Sequence, residues 1–122
     1  MVTGRRPVIV VEDDVGMRDA IHRVLEAAGF AVTDFATAEA ALLDRGTHEA
    51  SCLVLDIHLP EISGFELYER LRAIGSKQPV VFITARDDAH SRERAIQLGA
   101  VDYLVKPFSG RALAGIVARA LA

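Results

Sequence analysis

The sequence predicts an α/β domain built on a doubly wound, five-stranded parallel sheet. Five short apolar runs alternate with five segments of helical periodicity. Three of these runs are almost continuous in Val, Ile, Leu and Phe, which is typical of strands buried on both faces. Strict alternation of strand and helix implies parallel strands with helices on both sides of the sheet. Right-handed crossovers then favour the strand order 2-1-3-4-5 in a three-layer sandwich.

The five predicted strands are the apolar runs themselves. They span Pro7–Val11, Ala31–Phe35, Ser51–Leu55, Pro79–Ile83 and Val101–Val105. The second run contains Thr33 and Asp34 and alternates between apolar and polar residues. We therefore expect the second strand to lie at an edge of the sheet, where one side is exposed to solvent.

Each predicted helix begins at a residue whose side chain can accept a hydrogen bond from the first turn. The candidate caps are Asp14, Thr37, Ser63, Asp87 or Asp88, and Ser109. Glycines follow the first four helices, as is common at helix ends; they are Gly29, Gly46, Gly75 and Gly99. Four helices carry an apolar stripe at helical spacing. The stripes are Met17, Ala20, Ile21, Val24, Leu25 and Ala28; Ala38, Ala41 and Leu42; Leu67, Tyr68, Leu71 and Ile74; and Leu113, Ile116, Val117, Ala120 and Leu121.

The fourth predicted helix differs from the others because residues 88–94 are almost wholly polar. Only Ala95, Ile96 and Leu98 can hold it against the sheet. Weak burial gives low local stability, and elements that move in switching proteins come from such regions. The composition fits equally a solvated helix without a role, so both interpretations stay open at this point.

Composition narrows the class of protein. A chain of 122 residues with 51% hydrophobic residues fits one domain, and we expect it to span residues 1–122. A net charge of −3 gives no reason to expect direct nucleic-acid binding. The lone cysteine, Cys52, is predicted to be a buried, inert thiol. No apolar run reaches the ~20 residues of a membrane helix, and no signal-peptide segment follows Arg5 and Arg6. We therefore expect no membrane association and a cytoplasmic location.

Polar residues follow four of the five apolar runs directly. Glu12, Asp13 and Asp14 follow the first run, and Asp56 follows the third. Thr84, with Ala85 next to it, follows the fourth run, and Lys106, with Pro107 next to it, follows the fifth. In an open parallel sheet, ligands bind at the carboxyl ends of the strands, where the strand order reverses. We therefore expect these four groups to meet at one edge of the sheet.

The carboxylates in this set predict a cation. Asp13 and Asp56 follow neighbouring strands, and two such charges ~4 Å apart repel by about 4 kcal/mol at an effective dielectric constant of about 20. Carboxylate oxygens with water in the shell suit Mg²⁺. The competing interpretation is helix capping, which fits Asp14 well. It fits Asp56 poorly, because a loop rather than a helix follows that residue.

Lys106 and Thr84 complete a site for a phosphoryl group. A lysine acts as a point charge for phosphate, and Lys106 precedes Pro107, where a cis bond is accessible. The Thr84 hydroxyl can donate a hydrogen bond to a phosphoryl oxygen. Taken alone, Lys106 would be interpreted as an ordinary surface lysine, and Thr84 as a β-branched residue at the end of a strand. A carboxylate can attack a phosphoryl group, and the transferred oxygens need cationic stabilisation. Asp56, the central carboxylate, is therefore the predicted acceptor.

These stretches resemble the receiver domain of two-component response regulators. The matching segments are VIVVEDDVGMR, LVLDIHLPEISGFEL, VVFITA and GAVDYLVKPF, in receiver-like order and spacing over essentially the whole chain. The resemblance implies a CheY-like, flavodoxin-like fold and a phosphoprotein that carries an aspartyl phosphate. It also implies phosphorelay signalling with Mg²⁺, or Mn²⁺ in its place, rather than an enzyme with a separate substrate.

The resemblance also implies a role for individual residues. Asp56 is the phosphoacceptor, Asp13 a direct metal ligand beside Asp56, and Glu12 a ligand through water. The backbone carbonyl of His58 is a further ligand. Thr84, Ala85, Lys106 and Tyr103 form the phosphoryl-binding and switching group, with Tyr103 turning inward as Thr84 moves.

Three positions depart from the commonest pattern of the family or add to it. Glu12 stands where the family most often has Asp, a variant expected to keep metal binding. His58 and Arg86 stand where family members line the path of the attacking water, and we hypothesise that they set the lifetime of the phosphorylated state. His58 as an exposed loop residue without a role is the alternative. His22, His48 and His90 lack ligand spacing and receive no role.

The implied partners are a sensor histidine kinase or a phosphotransfer protein. The surface formed by the fourth helix, fifth strand and fifth helix is expected to change and to bind an output element or, in a homodimer, another copy. The sequence looks most like receivers fused to helix-turn-helix transcription regulators, and no output domain is present within it. Three other classes remain as alternatives: an aspartyl phosphohydrolase, a flavodoxin-like cofactor binder, and a degenerate receiver that docks without phosphorylation.

Overall fold

Five parallel strands form one sheet in a computed structural model that describes residues 5–122. The strands are β1 (Pro7–Val11), β2 (Ala31–Phe35), β3 (Cys52–Asp56), β4 (Val80–Thr84) and β5 (Asp102–Val105). Their order is β2-β1-β3-β4-β5, with every neighbouring pair parallel. The predicted fold and the edge position of β2 are therefore confirmed. Residues 1–4 of the predicted domain range lie outside the described residues.

Six helices connect the strands, one more than the sequence predicted. They are α1 (Val15–Ala27), α2 (Ala38–Leu43), α3 (Arg45–Glu49), α4 (Gly64–Ala73), α5 (Ala89–Gln97) and α6 (Gly110–Ala120). The predicted caps Asp14, Thr37, Ser63, Asp88 and Ser109 all accept a hydrogen bond from the first turn of their helix. Of the two candidates before α5, Asp88 is therefore the cap.

Two apolar layers cover the sheet because successive strand residues point to opposite faces. One face packs against α2, α4 and α5, and its buried centre includes Leu53, Leu55 and Phe82. The other face packs against α1 and α6 around Val10, Val54 and Ile83. These two layers make the predicted three-layer sandwich and hold the strand ends in fixed register.

Helix α3 was not predicted, because Gly46 was expected to follow the second helix rather than to lie inside a further one. The Asp44 side chain accepts a hydrogen bond from Gly46 N at 2.7 Å, which starts a new helical turn. Thr47 in this turn is fully buried, and Ala50 after it is also buried. A local cap and tertiary packing therefore stabilise a helix too short to show a period in the sequence.

The boundaries of three strands differ from the predictions by one residue. β3 and β4 each begin and end one residue later than predicted, and β5 begins one residue later. Asp56 pairs with Ile83, and Thr84 pairs with Val105, so both polar residues belong to the parallel ladder. The prediction ended each strand at its last apolar residue, whereas backbone hydrogen bonding continues through the first polar one.

Helix α5 is weakly anchored, as its composition indicated. Ala95 is buried, but Ile96 is 76% exposed, so the prediction that Ile96 grips the sheet was wrong. Neighbouring helical residues point about 100° apart, and α5 presents Ala95 rather than Ile96 to the sheet. Ile74, predicted on the inner side of α4, is 66% exposed, because α4 ends at Ala73 and Ile74 only caps it.

The structure also describes the lone cysteine and the peptide bond before Pro107. Cys52 is a free, fully buried thiol in β3, and burial raises its pKa to about 11. The Lys106–Pro107 peptide bond is cis. Among residues 5–122, no helix combines the length and the apolar character that crossing a membrane requires.

Candidate functional site

The predicted site residues lie at the carboxyl edge of the sheet. Glu12 follows β1, Asp56 ends β3, Thr84 ends β4, and Lys106 follows β5. The ladder continues past the strands, because Glu12 N donates to Phe35 O at 3.0 Å and Lys106 N donates to Thr84 O at 2.7 Å. These backbone bonds fix the side chains at one edge, as the alternation of strands and helices predicted.

Three carboxylates form an acidic cluster, defined here as Glu12, Asp13 and Asp56. Oxygen atoms from all three lie within 4.8 Å of one another. Glu12 is fully buried and Asp56 is 4% exposed, whereas Asp13 faces solvent. Hard divalent cations such as Mg²⁺ prefer oxygen ligands and usually keep several waters. Two buried carboxylates beside one open to solvent fit that requirement, so the acidic cluster could hold a metal ion.

Lys106 places an ammonium group against the two buried carboxylates. Its Nζ lies 2.5 Å from Glu12 Oε1 and 3.2 Å from Asp56 Oδ2. The Asp56 contact is a hydrogen bond, and the Glu12 contact is a close ion pair. The side chain of Lys106 is 15% exposed. A single positive charge therefore compensates part of the negative charge buried at this edge.

The electrostatics follow from burial and from these pairs. Burial raises the pKa of Glu12 to about 7; Lys106 lowers it and the neighbouring Asp56 raises it further. Burial lowers the pKa of Lys106, but its contacts with Glu12 and Asp56 outweigh that effect and leave the pKa raised. Lys106 is therefore a cation at neutral pH.

Backbone N–H groups orient both buried carboxylates. Asp14 N donates to Glu12 Oε2 at 3.1 Å, and His58 N donates to Asp56 Oδ1 at 3.1 Å. His58 thus contributes its N–H to the acceptor side chain, while its own side chain is exposed. Asp56 Oδ1 and Oδ2 each have a fixed partner, which holds the carboxylate in one orientation.

Gly64 is a site residue that sequence reasoning missed. A Cβ atom at this position would lie 2.2 Å from the carbonyl oxygen of Asp56 and 2.9 Å from its carbonyl carbon. Gly64 N also donates to Ile57 O at 3.0 Å. Only glycine lets the start of α4 approach the end of β3 so closely. In the sequence, Gly64 directly follows the helix cap Ser63, and the pair was interpreted only as the start of a helix.

Thr84 and Tyr103 are connected through the backbone of Arg86. The Thr84 hydroxyl donates to Arg86 O at 2.9 Å and accepts from Arg86 N at 3.0 Å. The Tyr103 hydroxyl donates to the same carbonyl at 3.5 Å. The Arg92 guanidinium lies 4.8 Å from the centre of the Tyr103 ring and pairs with Asp87. Thr84 is thus buried and bound within its own turn, while Ala85 and Arg86 are exposed.

A second missed group lies behind the acidic cluster. Arg18, one turn into α1, donates from its guanidinium to the carbonyl oxygen of Glu12 at 2.9 Å. The same side chain lies 3.5 Å from Asp34 in β2, and His22 lies 2.7 Å from that aspartate. The signal in the sequence was the polar residue Asp34 inside an otherwise apolar strand. His22, which received no role, therefore belongs to a charged group near the site.

Comparison with known proteins gives a consistent result. The family model of the response regulator receiver domain matches residues 8–118. The transcriptional regulatory protein FixJ of Azorhizobium caulinodans is 39% identical over 94% of this chain, and FixJ of Bradyrhizobium diazoefficiens is 35% identical over 98% of it. The BeF3-activated DrrB receiver domain superposes with a TM-score of 0.87 at 30% identity, covering 96% of this chain and 97% of that one.

The FixJ relatives are longer than this chain, so each match covers only part of the relative's length. This chain covers 54% of the Azorhizobium FixJ and 58% of the Bradyrhizobium FixJ. The chain therefore spans about half the length of the curated relatives that it matches.

Proposed function

The chain belongs to the response regulator receiver domain family, and on that premise we propose that it is a signalling switch that accepts a phosphoryl group on Asp56. The observation that carries the proposal is the environment of that side chain. Asp56 is a buried carboxylate in the acidic cluster, held by a backbone N–H on one oxygen and by Lys106 on the other. The Asp56 carboxylate is thus oriented for attack on phosphorus, and the Lys106 ammonium beside it can donate hydrogen bonds to the phosphoryl oxygens.

The transfer uses a phosphohistidine on a sensor kinase or phosphotransfer protein, or a small phosphodonor such as acetyl phosphate. An Asp56 oxygen attacks phosphorus, and a new P–O bond forms. With phosphohistidine the P–N bond breaks and its electron pair leaves on the imidazole nitrogen; with acetyl phosphate the P–O bond to the acetyl group breaks and acetate leaves. Lys106 stays paired with the acceptor and neutralises part of the phosphoryl charge. The product is an aspartyl phosphate, and the protein acts as a signalling domain rather than as an enzyme turning over a separate substrate.

The proposed cofactor is Mg²⁺, with Mn²⁺ as a substitute. Asp13, Asp56 and the backbone carbonyl of His58 would hold it directly, and Glu12 would act through water. The ion would neutralise the negative oxygens of the phosphoryl group as it is transferred. The oxygen-only donor set of the acidic cluster supports a hard cation over a transition metal.

Switching follows from the added charge. An aspartyl phosphate carries more negative charge than the carboxylate it replaces. It attracts Lys106, the Thr84 hydroxyl and the N–H of Ala85. To reach it, Thr84 must release the Arg86 carbonyl, which the Tyr103 hydroxyl also contacts. Tyr103 then turns inward, and the surface of α5, β5 and α6 changes. The weak anchoring of α5 supports this, since Ser91 and Ala95 are the only buried residues of this helix.

We assign the duration of the signal to His58 and Arg86. Both side chains are exposed beside the acceptor strand and the Thr84 turn, where they can restrict the water that hydrolyses the aspartyl phosphate. Replacing each by Ala should change the rate of phosphate loss, and unchanged loss in both variants would remove this assignment.

The proposed output is control of a partner or of transcription, since the FixJ relatives are transcriptional regulatory proteins. In this proposal, residues 1–122 act as one receiver unit in the cytoplasm, the changed surface binds an output element or a second copy, and the unit makes no direct contact with DNA. The net charge of −3 supports the last point.

Intact mass spectrometry tests the proposal. The protein is incubated with acetyl phosphate and Mg²⁺, with Asp56→Asn and an EDTA sample as controls. We expect a mass gain of about 80 Da, one phosphoryl group, in the wild type alone. No gain in the wild type with any donor would contradict the proposal and would favour a receiver that docks without phosphorylation.

A further inference from the structure

Arg18 joins helix α1 to the acidic cluster through the main chain of Glu12. Its guanidinium donates to the Glu12 carbonyl oxygen at 2.9 Å, and the side chain is only 17% exposed. The helix start sets its position, because Asp14 caps α1 through Met17 N and Arg18 N donates to Asp14 O. The first turn of α1, which directly follows Glu12 and Asp13, therefore sets the position of Arg18.

The Glu12 peptide is held from both sides. Its N–H donates to Phe35 O of β2 at 3.0 Å, and its carbonyl accepts from Arg18. The side chain is fixed as well, by Asp14 N and Lys106. Without Arg18, the described contacts leave this carbonyl without a hydrogen bond at the point where the chain turns from β1 into Asp13. The orientation of Glu12 and Asp13 then depends on fewer restraints.

Asp34 keeps the charge of Arg18 from opposing a bound cation. An arginine beside a metal site repels the ion, unless a carboxylate on its far side neutralises it. Asp34 lies 3.5 Å from the Arg18 guanidinium. His22 lies 2.7 Å from Asp34 and 3.5 Å from Glu26, which fixes the aspartate from α1. Arg18 thus lies between an ion-pair partner, Asp34, and a hydrogen-bond acceptor, the Glu12 carbonyl.

We propose that Arg18, held by Asp34 and His22, is a positioning residue that orients Glu12 and Asp13 for binding of the divalent cation. This inference rests on the proposed function, since it assigns the residues that shape the same metal site. Residues that orient metal ligands typically change metal affinity by one to two orders of magnitude when they are removed. Arg18 touches no reacting atom and acts only through the acidic cluster.

The test is calorimetric titration of the full chain with MgCl₂. We expect Arg18→Ala to weaken Mg²⁺ binding about tenfold. The Mg²⁺ affinity of Arg18→Lys should lie between those of the wild type and Arg18→Ala, because one ammonium cannot match a guanidinium that donates to the Glu12 carbonyl and also pairs with Asp34. Asp34→Asn should also weaken binding, because it leaves the Arg18 charge uncompensated. Arg23→Ala is the matched control: Arg23 is exposed on α1 and makes no ion pair within the described residues.

A second measurement separates positioning from loss of fold. The rate of phosphorylation by acetyl phosphate is followed as a function of Mg²⁺ concentration, together with urea unfolding of each variant. Positioning predicts that the half-saturating Mg²⁺ concentration rises about tenfold in Arg18→Ala while the rate at saturation changes little. If Arg18→Ala does not fold, Arg18→Lys carries the test and must show a raised half-saturating concentration.

The outcomes distinguish the two proposals. Equal Mg²⁺ affinities in the wild type, Arg18→Ala and Arg18→Lys would overturn the positioning role and leave the proposed function intact. An equal loss in Arg23→Ala would also overturn it, because removal of any α1 charge would then suffice. A wild type that neither binds Mg²⁺ nor becomes phosphorylated would remove the proposed function and this inference with it.

Discussion

Lys106 shows how single side chains set the chemistry of this edge. Its ammonium contacts Glu12 and Asp56, two carboxylates that are almost fully buried. Buried charges are tolerated when they are paired, and removing one partner leaves the other uncompensated. Lys106 therefore stabilises the metal-free site and also stands where a phosphoryl group on Asp56 needs a cation.

Replacing Lys106 with Ala should lower the free energy of unfolding by about 2 kcal/mol in EDTA at pH 8, since two buried carboxylates lose their cation. Urea denaturation measures the change, and added Mg²⁺ should restore part of the loss by supplying positive charge. Lys77→Ala is the control, because Lys77 is exposed and the described residues give it no ion pair. Equal stability of Lys106→Ala and the wild type would contradict the role of this pair.

The sequence predicted which residues reach the site, but not all the contacts they make. Asp56 and Lys106 follow apolar runs directly, and strand geometry alone brings such residues together. The hydrogen bonds of the Thr84 hydroxyl to its own turn could not be predicted, because they depend on the path of the loop. The contact of Arg18 with the Glu12 carbonyl could not be predicted either. In the sequence, Arg18 has the same position relative to the apolar stripe of α1 as an arginine that is exposed to solvent and makes no such contact.

At the scale of secondary structure, the approach of α4 to β3 shapes the acceptor. The start of α4 comes so near the Asp56 backbone that only Gly64 fits. The structure therefore couples the position of a whole helix to the position of one carboxylate.

Gly64→Ala should destabilise the protein by about 2 kcal/mol, because the added Cβ would overlap the Asp56 carbonyl and the backbone must shift. Phosphorylation by acetyl phosphate should also slow. Gly16→Ala is the matched control, because its Cβ would lie 3.6 Å from the nearest atom, Asp14 Oδ2, and alanine favours the helix. Urea denaturation of both variants is the measurement. A Gly64→Ala variant as stable as Gly16→Ala would show that the close approach is not required.

The Asp88 cap should make the stability of α5 depend on pH. Its hydrogen bond from Ser91 N, at 2.7 Å, lowers the pKa of Asp88 below its usual value near 3.8. The stabilisation is thus present above that value and is lost as pH falls through the lower pKa of the folded state. Asp88→Ala should be less stable than the wild type at pH 7, with a gap that begins to narrow near the usual aspartate pKa and keeps narrowing as pH falls through the lower pKa of the folded state.

Asp88→Asn supplies the control for this effect, because asparagine can cap the helix but does not titrate. It should match the wild type at pH 7 in urea denaturation. A gap between Asp88→Ala and the wild type that does not narrow as the pH is taken from 7 to well below the usual pKa of aspartate would contradict the assignment of the cap charge.

Elements were predicted more reliably than their ends. The alternation of apolar runs and helical segments gave all five strands and five of the helices. The boundaries of β3 and β4 differed because hydrogen bonding continues into polar residues. Helix α3 escaped prediction because five residues are too few to show a period, and its Thr47 is buried by tertiary packing alone.

In the whole molecule, the carbonyl of Arg86 connects the carboxyl edge of the sheet with the surface of α5 and β5. Thr84 ends β4, the Arg86 carbonyl accepts from both Thr84 and Tyr103, and Arg92 of α5 stacks on Tyr103. A phosphoryl group that draws Thr84 away from this carbonyl biases both contacts at once. We therefore propose that phosphorylation of Asp56 is coupled to a surface that Asp56 does not contact.

Amide NMR spectra recorded with and without Mg²⁺ and beryllium fluoride, which mimics a phosphoryl group on a carboxylate, test this coupling most directly. If the two regions are coupled, the wild type should show shifts at Asp56 and Lys106 and also along α5 and β5, including Arg92 and Tyr103. Asp56→Asn should show neither set. Shifts confined to the residues around Asp56, with α5 and β5 unchanged in a wild type that binds the mimic, would rule out the coupling.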